Sequence, residues 1–385
     1  MIYRQISDLV RTFSTQYPVI TITGPRQSGK TTLSRKLFPD KAYINLELPD
    51  LRHLVLEDPR GFLKQYPDGA ILDEIQRTPE LPSYIQGVVD DADKTGMFIL
   101  TGSQQLEISQ SISQSLAGRT AMIKLLPLSL RELFSFTENM SISEILLKGF
   151  YPRLHIRSIE PYQFYSHYFE TYIERDLRQL SQIENLELFA RCVRLLAGRV
   201  GQLVNFSSIS NDLGVSQPTI KKWVSLLQAS YILFLLPPFY RNIGKRLIKT
   251  PKIYFYDTGL VSFLLGIGEI SHLKHHPLQG NLFENFIVAE YLKKRYNAGK
   301  QSNLHFFRDR TGNEVDLVIE KGQELVPVEI KSAATISPDF TRGLRFFREL
   351  FPREISEEFV IYSGNSTYTA NGISYLPWNK LAETG

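Results

Sequence analysis

The sequence G-P-R-Q-S-G-K-T at residues 24–31 decides the fold of the N-terminal part of this chain. It has the form G-x-x-x-x-G-K-T and follows the β-branched run Val19–Thr23, and a helix is predicted at Thr32–Leu37. A glycine-rich turn between a buried strand and a helix lets backbone N–H groups point at phosphate oxygens, and the helix dipole adds positive potential. We therefore predict a phosphate-binding loop, the P-loop.

The P-loop pattern gives its residues distinct predicted roles toward a nucleotide. Lys30 reaches the β- and γ-phosphates and is a catalytic candidate, while the Thr31 hydroxyl ligates Mg²⁺. Arg26 supplies a further cation, to which the sequence assigns no role. We expect ATP and Mg²⁺ as cofactors and assign nucleotide binding to Gly24, Pro25, Arg26, Gln27, Ser28, Gly29, Lys30, Thr31 and Thr32.

An apolar run ending in two carboxylates, A-I-L-D-E at 70–74, supplies the acidic partner that a P-loop requires. We predict that Asp73 holds Mg²⁺ through water and that Glu74 is the general base that polarises the attacking water. An acidic pair after an apolar run is also a common strand end. Its distance from the P-loop favours the functional interpretation.

Polar residues also follow the next predicted strand, in T-G-S-Q at 101–104. The carboxyl ends of central strands lie beside the nucleotide in open α/β sheets, so Ser103 or Gln104 is a candidate contact to the γ-phosphate or the attacking water. The alternative is a hydrogen-bonded turn. Arg119, in S-L-A-G-R at 115–119, is a candidate arginine finger acting on a neighbouring subunit, which implies a homo-oligomer; the alternative is a surface arginine.

These segments predict an α/β fold with a parallel sheet of about five strands and helices on both faces. The predicted strands are Val19–Thr23, Ala42–Leu46, Ala70–Asp73, Met97–Thr101 and Ala121–Leu126. A length of 385 residues suggests two or three domains. We predict an ATPase domain at 1–160, a helical and winged-helix domain at 161–256, and a nuclease-like domain at 257–385.

The middle of the chain has a helix-turn-helix pattern. A short helix at Ser207–Leu213, a turn at 214–216 and a helix at Gln217–Ser230 are followed by two predicted strands, with a basic loop between them. This order is typical of a winged helix, which binds DNA phosphates through cations. The alternative is a packing module. The candidate cations are Lys221, Lys222, Arg241, Lys245, Arg246, Lys249 and Lys252.

The C-terminal part carries charges inside apolar strands. Glu329 and Lys331 are two residues apart and project from one strand face, and Asp316 lies across a predicted hairpin. Charges in a buried strand are costly unless they are paired or bind a metal. Asp316 and Glu329 are candidate ligands of a divalent ion, with Glu284 as a further ligand and Lys331 positioning water. The alternative is an ion-paired strand end that cleaves nothing.

Composition limits the other classes of protein. The net charge is +4, so the overall charge does not identify a partner, and the single cysteine, Cys192, forms neither a disulfide framework nor a cysteine-rich metal site. The longest apolar stretch, at 231–239, is far shorter than the ~20 residues that span a bilayer. With no signal-peptide pattern at the N-terminus, we expect a cytoplasmic protein without membrane contact.

The C-terminal pattern resembles the core of PD-(D/E)XK nucleases. The whole chain resembles prokaryotic AAA-type ATP-binding proteins that end in a domain of unknown function. The motifs carrying this resemblance are Gly24–Thr31, Leu72–Glu74, Thr101–Ser103, Leu116–Arg119, Tyr172–Leu177, Tyr254–Leu260, Gly280–Asn285 and Glu314–Lys331. It implies a nucleotide-binding domain, a helical and winged-helix middle and a restriction-endonuclease-like end. One departure is the single glycine, Gly149, before the aromatic-proline pair.

Two functions follow from the sequence. The first is ATP hydrolysis coupled to DNA binding or processing by the nuclease-like end. The second is an ATP-dependent conformational switch that binds a protein partner and whose nuclease-like domain is catalytically silent. A small-molecule kinase would also use a P-loop, but the C-terminal part of the chain is superfluous for it.

Overall fold

The computed structural model describes residues 2–103, 115–137, 140–176, 183, 185–240 and 248–383. The chain forms two compact units. The first contains Met1–Leu128, Ala229–Tyr231 and Arg295–Lys300, and the second contains Ser129–Gln228, Ile232–Lys294 and Gln301–Gly385. The division into three domains with boundaries at 160 and 256 stays a prediction.

The first unit contains a five-stranded, fully parallel sheet with the order β2-β3-β4-β1-β5. All five predicted strands are present, with ends shifted by at most two residues. Their bounds are β1 Val19–Thr23, β2 Ala42–Asn45, β3 Ala70–Asp73, β4 Phe98–Gly102 and β5 Thr120–Lys124. The strand before the P-loop, β1, lies between β4 and β5, so the loop follows an interior strand of the sheet.

Side chains alternate between the two faces of this sheet because successive residues of a strand point in opposite directions. Ile20 and Ile22 pack in a core with Leu33 of the helix after the P-loop. Val19 and Leu72 pack in a second core with helical residues such as Ile85. Helices therefore cover both faces, as predicted; they are α1 Ser7–Ser14, α2 Lys30–Leu37, α3 Pro49–Glu57, α4 Pro59–Lys64 and α5 Leu81–Ala92, with a 3₁₀ turn at Ile75–Arg77.

The second unit begins with a helical region. Its helices are α6 Leu130–Phe134, α7 Ile142–Lys148, α8 Pro152–Ile156, α9 Pro161–Tyr168, α10 Leu186–Ala197, α11 Phe206–Leu213, α12 Gln217–Ala229, α13 Thr258–Leu264, α14 Ile270–Lys274 and α15 Gln279–Asn297. A π-helical turn at Phe169–Asp176 follows α9. The last residues of α12 and α15 belong to the first unit.

The predicted helix-turn-helix segment forms two helices, α11 and α12, joined by a turn at Gly214, which has the left-handed φ of 67° that favours glycine. Two antiparallel strands follow, β6 Leu233–Leu236 and β7 Lys252–Phe255. The helices and strands match the predicted order, and the assignment of this segment as a winged helix stays a prediction.

The buried carboxylate of Asp257, in the motif Tyr254–Leu260, contacts the segment that contains Gly149. Asp257 caps α13 by accepting from the Leu260 N–H at 2.9 Å, and it accepts from the Phe150 N–H and the Tyr165 hydroxyl, each at 2.7 Å. A Cβ at Gly149 would lie 2.5 Å from one oxygen of Asp257. The single glycine therefore stands where the backbone approaches this carboxylate.

The C-terminal half of the second unit is a six-stranded mixed sheet with the order β12-β13-β11-β10-β9-β8. Its strands are β8 Leu304–Arg308, β9 Glu314–Lys321, β10 Glu324–Lys331, β11 Phe359–Tyr362, β12 Tyr368–Ala370 and β13 Ile373–Pro377. Helix α16, Arg342–Leu350, packs Leu344 and Phe347 on one face. Val328 pairs with Leu317 across the β9–β10 hairpin, so Asp316 lies beside Glu329.

Candidate active site

The P-loop connects β1 directly to α2, and its backbone has the curvature that the glycines permit. Gly24 has a φ of 150°, and a Cβ at this position would lie 2.0 Å from the carbonyl oxygen of Leu125. Gly29 has a φ of 96° and immediately precedes α2. Gln27 also has a left-handed φ, of 62°. The loop is therefore curled at the N-terminus of a helix, where partial positive charge favours a phosphate.

Lys30 is buried within the P-loop. Its ammonium donates to the carbonyl oxygens of Gly24 and Pro25 at 2.9 and 2.8 Å. Burial lowers the pKa of Lys30 to about 8, against the opposing effect of the charges of Glu74 and Asp73. The side chain thus lies inside the curve of the loop, the position from which a P-loop lysine contacts phosphate.

Asp73 accepts hydrogen bonds from three hydroxyl groups at the carboxyl end of the sheet. Thr31 donates to its Oδ2 at 2.9 Å, Tyr43 donates to the same oxygen at 2.7 Å, and Thr101 donates to Oδ1. Thr31 and Asp73, the two predicted magnesium ligands of this unit, are therefore in direct contact. A hydroxyl beside a carboxylate is an oxygen donor set that suits Mg²⁺.

Glu74 follows β3 in a left-handed conformation, with a φ of 58°. Ser103 donates to its Oε2 at 3.3 Å, and the side-chain amide of Gln76 donates to the same oxygen. Because both donors use Oε2, these two bonds leave Oε1 available to a water. The predicted base and the predicted polar contact at Ser103 thus lie together, while Gln104 lies outside the described residues.

Acidic side chains engage three arginines of the first unit, Arg26, Arg77 and Arg119. Glu47 lies 3.2 Å from Arg26 and 3.8 Å from Arg77. Arg119 forms a two-point ion pair with Asp90 of α5, with one contact of 2.8 Å. Arg119 is therefore bound within its own unit, and its action on another subunit stays a prediction.

Arg4 contacts the P-loop, and sequence reasoning missed it. Its guanidinium is buried and donates to the carbonyl oxygens of Ser28 and Leu126, each at 2.6 Å. It thereby ties the loop to the segment that follows β5. Tyr43, Thr101 and Gln76 were also not singled out from the sequence. A lone arginine or tyrosine outside a motif gives no signal, because only the fold brings these side chains to the loop.

The predicted C-terminal residues form a second charged group, which we call the acidic cluster: Glu284, Glu314, Asp316 and Glu329. The ammonium of Lys331 lies 2.7 Å from Glu329 and 3.5 Å from Asp316. Asp316 also accepts from the Ile330 N–H at 2.8 Å. Burial, together with the charge of Asp316, raises the pKa of Glu329 to about 8. Asp316, Glu329 and Lys331 therefore converge.

Lys252 completes this group, and its predicted position in the basic loop between the two strands is wrong. It begins β7, its side chain is 3% exposed, and its ammonium lies 2.8 Å from Glu284 and 2.6 Å from Glu314. Burial alone would lower the pKa of Lys252, but Tyr254 and Glu284 raise it well above the ordinary value. The sequence places Lys252 among other lysines and arginines, which hid its internal role.

A divalent cation does not fit the acidic cluster as these side chains lie. Within the described residues, no group of three or more histidine, cysteine, aspartate or glutamate side chains is arranged to hold a metal ion. Lysine ammoniums lie against the carboxylates instead. The assignment of Glu284, Asp316 and Glu329 as metal ligands stays a prediction that this arrangement does not favour.

The remaining cations of the predicted DNA-binding segment are divided by the structure. Lys221 and Lys222 are exposed on α12, and Lys221 lies 5.7 Å from the ring centre of Phe206. Lys249 is exposed 5.7 Å from the ring centre of Tyr240. Arg241, Lys245 and Arg246 lie outside the described residues.

Of the helices in the described part of the chain, none has the length and apolar character needed to cross a membrane.

The parallel sheet, the P-loop and the contact of Thr31 with Asp73 give the first unit the features of a P-loop ATPase domain. Residues 16–134 match the family described as AAA domain. Residues 139–271 match a domain of unknown function, DUF8612, and residues 279–381 match another, DUF4143. The prediction of an AAA-type ATPase is confirmed by the first match, while the nuclease-like resemblance stays a proposal.

Sequence relatives extend along most of the chain. An uncharacterized protein of Mycobacterium tuberculosis is 29% identical over 374 residues, covering 96% of this chain and 82% of the relative. An uncharacterized protein of Methanocaldococcus jannaschii is 22% identical over 421 residues, covering 94% and 83%. The solved structure of a Walker-type ATPase of Pyrococcus abyssi is 14% identical, covers 68% of this chain and 94% of its own, and has a TM-score of 0.42.

Proposed function

We propose that this chain is an ATP-hydrolysing switch in which the first unit turns over ATP and the second unit provides the output. The observation that carries the proposal is that Lys30 and Thr31 of the P-loop meet Asp73, which Glu74 directly follows. The proposal gives each of these side chains a chemical task in hydrolysis, toward phosphate, metal or water.

The proposed mechanism assigns one step to each side chain. Lys30 contacts the β- and γ-phosphates and offsets their negative charge. Thr31 and Asp73 would hold Mg²⁺, which neutralises charge on the phosphate oxygens when it is bound. Glu74 accepts the proton of the attacking water through Oε1 as the oxygen bonds to the γ-phosphorus and the bond to the ADP oxygen breaks. Ser103 and Gln76 fix the carboxylate for this step.

Two substitutions test the ATPase proposal. Lys30→Ala removes the phosphate contact, so we expect ATP binding measured by calorimetry to be lost or strongly weakened. Glu74→Gln removes the base, so we expect ATP binding to persist while kcat falls by about 10²-fold or more. Lys36→Ala and Glu80→Gln, which change exposed residues of α2 and of the α5 N-cap, are the matched controls. An unchanged kcat in Glu74→Gln contradicts the base assignment.

For the output, we favour the switch with a catalytically silent nuclease-like domain and a protein partner. The support is that Lys252 and Lys331 already form ion pairs with all four carboxylates of the acidic cluster. We expect ATP to change the pattern of limited proteolysis in the Glu74→Gln protein, which retains the nucleotide. Identical digestion with and without ATP contradicts the switch, whatever the ATPase rate.

DNA binding or processing is the second candidate output. The support for it is the convergence of Asp316, Glu329 and Lys331 on neighbouring strands, together with exposed Lys221 and Lys222 on α12. The test is incubation of single-stranded, duplex and branched DNA with ATP and Mg²⁺ or Mn²⁺. Cleavage that Lys331→Ala abolishes favours this candidate over the silent domain, and intact DNA in every arm rejects cleavage.

The proposal of a homo-oligomer depends on a single residue, Arg119, acting as an arginine finger. An arginine finger acts on the nucleotide of a neighbouring subunit and contributes about 10³-fold or more to kcat. If Arg119 has this role, the ATPase rate per protein molecule rises with protein concentration, and Arg119→Ala removes the rise. A rate per molecule that is independent of concentration, with a single monomeric species in sedimentation, contradicts it.

A further inference from the structure

Lysines occupy the interior of the acidic cluster. Lys252 lies between Glu284 of α15 and Glu314 of β9, while Lys331 lies between Asp316 and Glu329. Arg308 adds a third cation, 3.1 Å from Glu314. Four carboxylates that belong to three different elements are thus brought together around cationic side chains of the same chain.

The position of Lys252 in this group does not follow from residue spacing along a single strand. Glu329 and Lys331 share one strand, so their contact is a local consequence of spacing. Lys252 comes from the separate β6–β7 hairpin, and its ammonium is buried against carboxylates that are 14% and 25% exposed. A buried ammonium is costly unless it is paired, and here two carboxylates lie within 2.8 Å of it.

The contacts of Lys252 are those that a divalent cation would otherwise make. Carboxylate oxygens from separate elements converge on a compact point charge, as they do around a metal ion. Oε2 of Glu329 is buried and has no hydrogen-bond partner among the described residues, so one acceptor of the cluster is still unused. The group therefore has the oxygen donors of a cation site, but an ammonium fills the centre between Glu284 and Glu314.

We propose that Lys252 is a built-in counter-ion that occupies the place of a divalent cation between Glu284 and Glu314 and closes the acidic cluster to Mg²⁺ and Mn²⁺. The inference deepens the switch function proposed above and rests on it only for the silent role of this domain. On this proposal the domain can resemble a nuclease and still bind no metal. The residue responsible is Lys252, which lies outside the pattern Asp316 … Glu329-Ile330-Lys331.

Manganese binding to nucleotide-free protein tests this proposal. All proteins carry Asp73→Asn, so that the P-loop unit contributes no metal site, and free Mn²⁺ is followed by its electron paramagnetic resonance signal. We expect the protein with Lys252 intact to bind no Mn²⁺ at the cluster. Lys252→Met is expected to gain one Mn²⁺ site, with an affinity at least about tenfold above any residual Mn²⁺ binding of the protein with Lys252 intact, and a further Glu314→Gln is expected to remove it.

Lys293→Met is the matched control. Lys293 is also buried, at 1% exposed, and lies 2.7 Å from Glu290, but it has no place in the acidic cluster. Both substitutions remove a buried ammonium and lower the Tm. We expect Mn²⁺ to raise the Tm of Lys252→Met by several degrees and to leave that of Lys293→Met unchanged, because only the first frees converging carboxylates.

Two results overturn the proposal. One is a folded Lys252→Met protein that binds no more Mn²⁺ than the protein with Lys252 intact. The other is Mn²⁺ binding with Lys252 intact that Glu314→Gln abolishes, a result that decides the question even if Lys252→Met does not fold. Neither result affects ATP hydrolysis measured without Asp73→Asn, so failure of this inference is distinguishable from failure of the ATPase proposal.

Discussion

Raising the pH should weaken ATP binding through Lys30. Its ammonium is buried in the P-loop, and burial lowers its pKa to about 8. Asp73 and Glu74 oppose this shift, and Arg26 adds to it. The triphosphate interacts with the charged form, so the bound complex keeps the proton that the free protein loses above pH 8.

The size of the effect follows from the titration of one group. With a pKa of about 8 in the free protein, about nine-tenths of Lys30 is charged at pH 7 and about one-tenth at pH 9. The apparent Kd for Mg-ATP should therefore rise about tenfold between these values, equivalent to about 1.4 kcal/mol. Near pH 9, binding should take up close to one proton.

Calorimetry in buffers of different ionisation enthalpy measures both quantities. The dependence of the observed heat on buffer enthalpy gives the protons taken up, and titrations from pH 7 to 9.5 give the Kd. Lys30→Arg is the control, because a guanidinium stays charged across this range and its Kd should be flat. A Kd of the parent protein that is constant from pH 7 to 9.5, without proton uptake, refutes the reasoning.

Three further substitutions report on the residues around the loop. Tyr43→Phe removes a donor to Asp73, so the Mg²⁺ concentration for half-maximal ATPase should rise about fivefold, with kcat at saturation nearly unchanged. Gln76→Leu removes a donor to Glu74 and should lower kcat about fivefold while the KM for ATP stays constant. Arg4→Ala removes the donor to the Ser28 and Leu126 carbonyl oxygens, so urea denaturation should show about 2 kcal/mol of lost stability. The KM for ATP of this variant should also rise. For each of the three substitutions, an unchanged value of the measured quantity contradicts the role given to that contact.

The local pattern was enough for the parts of the fold in which neighbours in sequence act together. The P-loop, the strands of the first sheet and the hairpin of Glu314–Lys331 were predictable because β-branched runs, glycines and residue spacing act over a few positions. Asp316, Glu329 and Lys331 were singled out for the same reason, since charges inside apolar strands stand out in any sequence.

Contacts between distant segments were not predictable in this way. Arg4 reaches Ser28 and Leu126, 24 and 122 positions away, and Tyr43 reaches Asp73. Neither residue belongs to a motif. A guanidinium or a phenol gains such a partner only once the sheet has formed, so the sequence around it gives no signal. Lys252 was assigned to a basic loop because its neighbours in sequence are basic, although its partners lie 32 and 62 positions away.

The sequence by itself determined a parallel sheet with a phosphate-binding loop, and with it the chemistry available to the first unit. Glycine conformations and strand periodicity are properties of short segments, so they can be read without the fold. Only the tertiary structure decided what the charges of the second unit do. Whether a carboxylate faces a metal, water or an ammonium depends on which elements meet around it, and β7 brings Lys252 to that place.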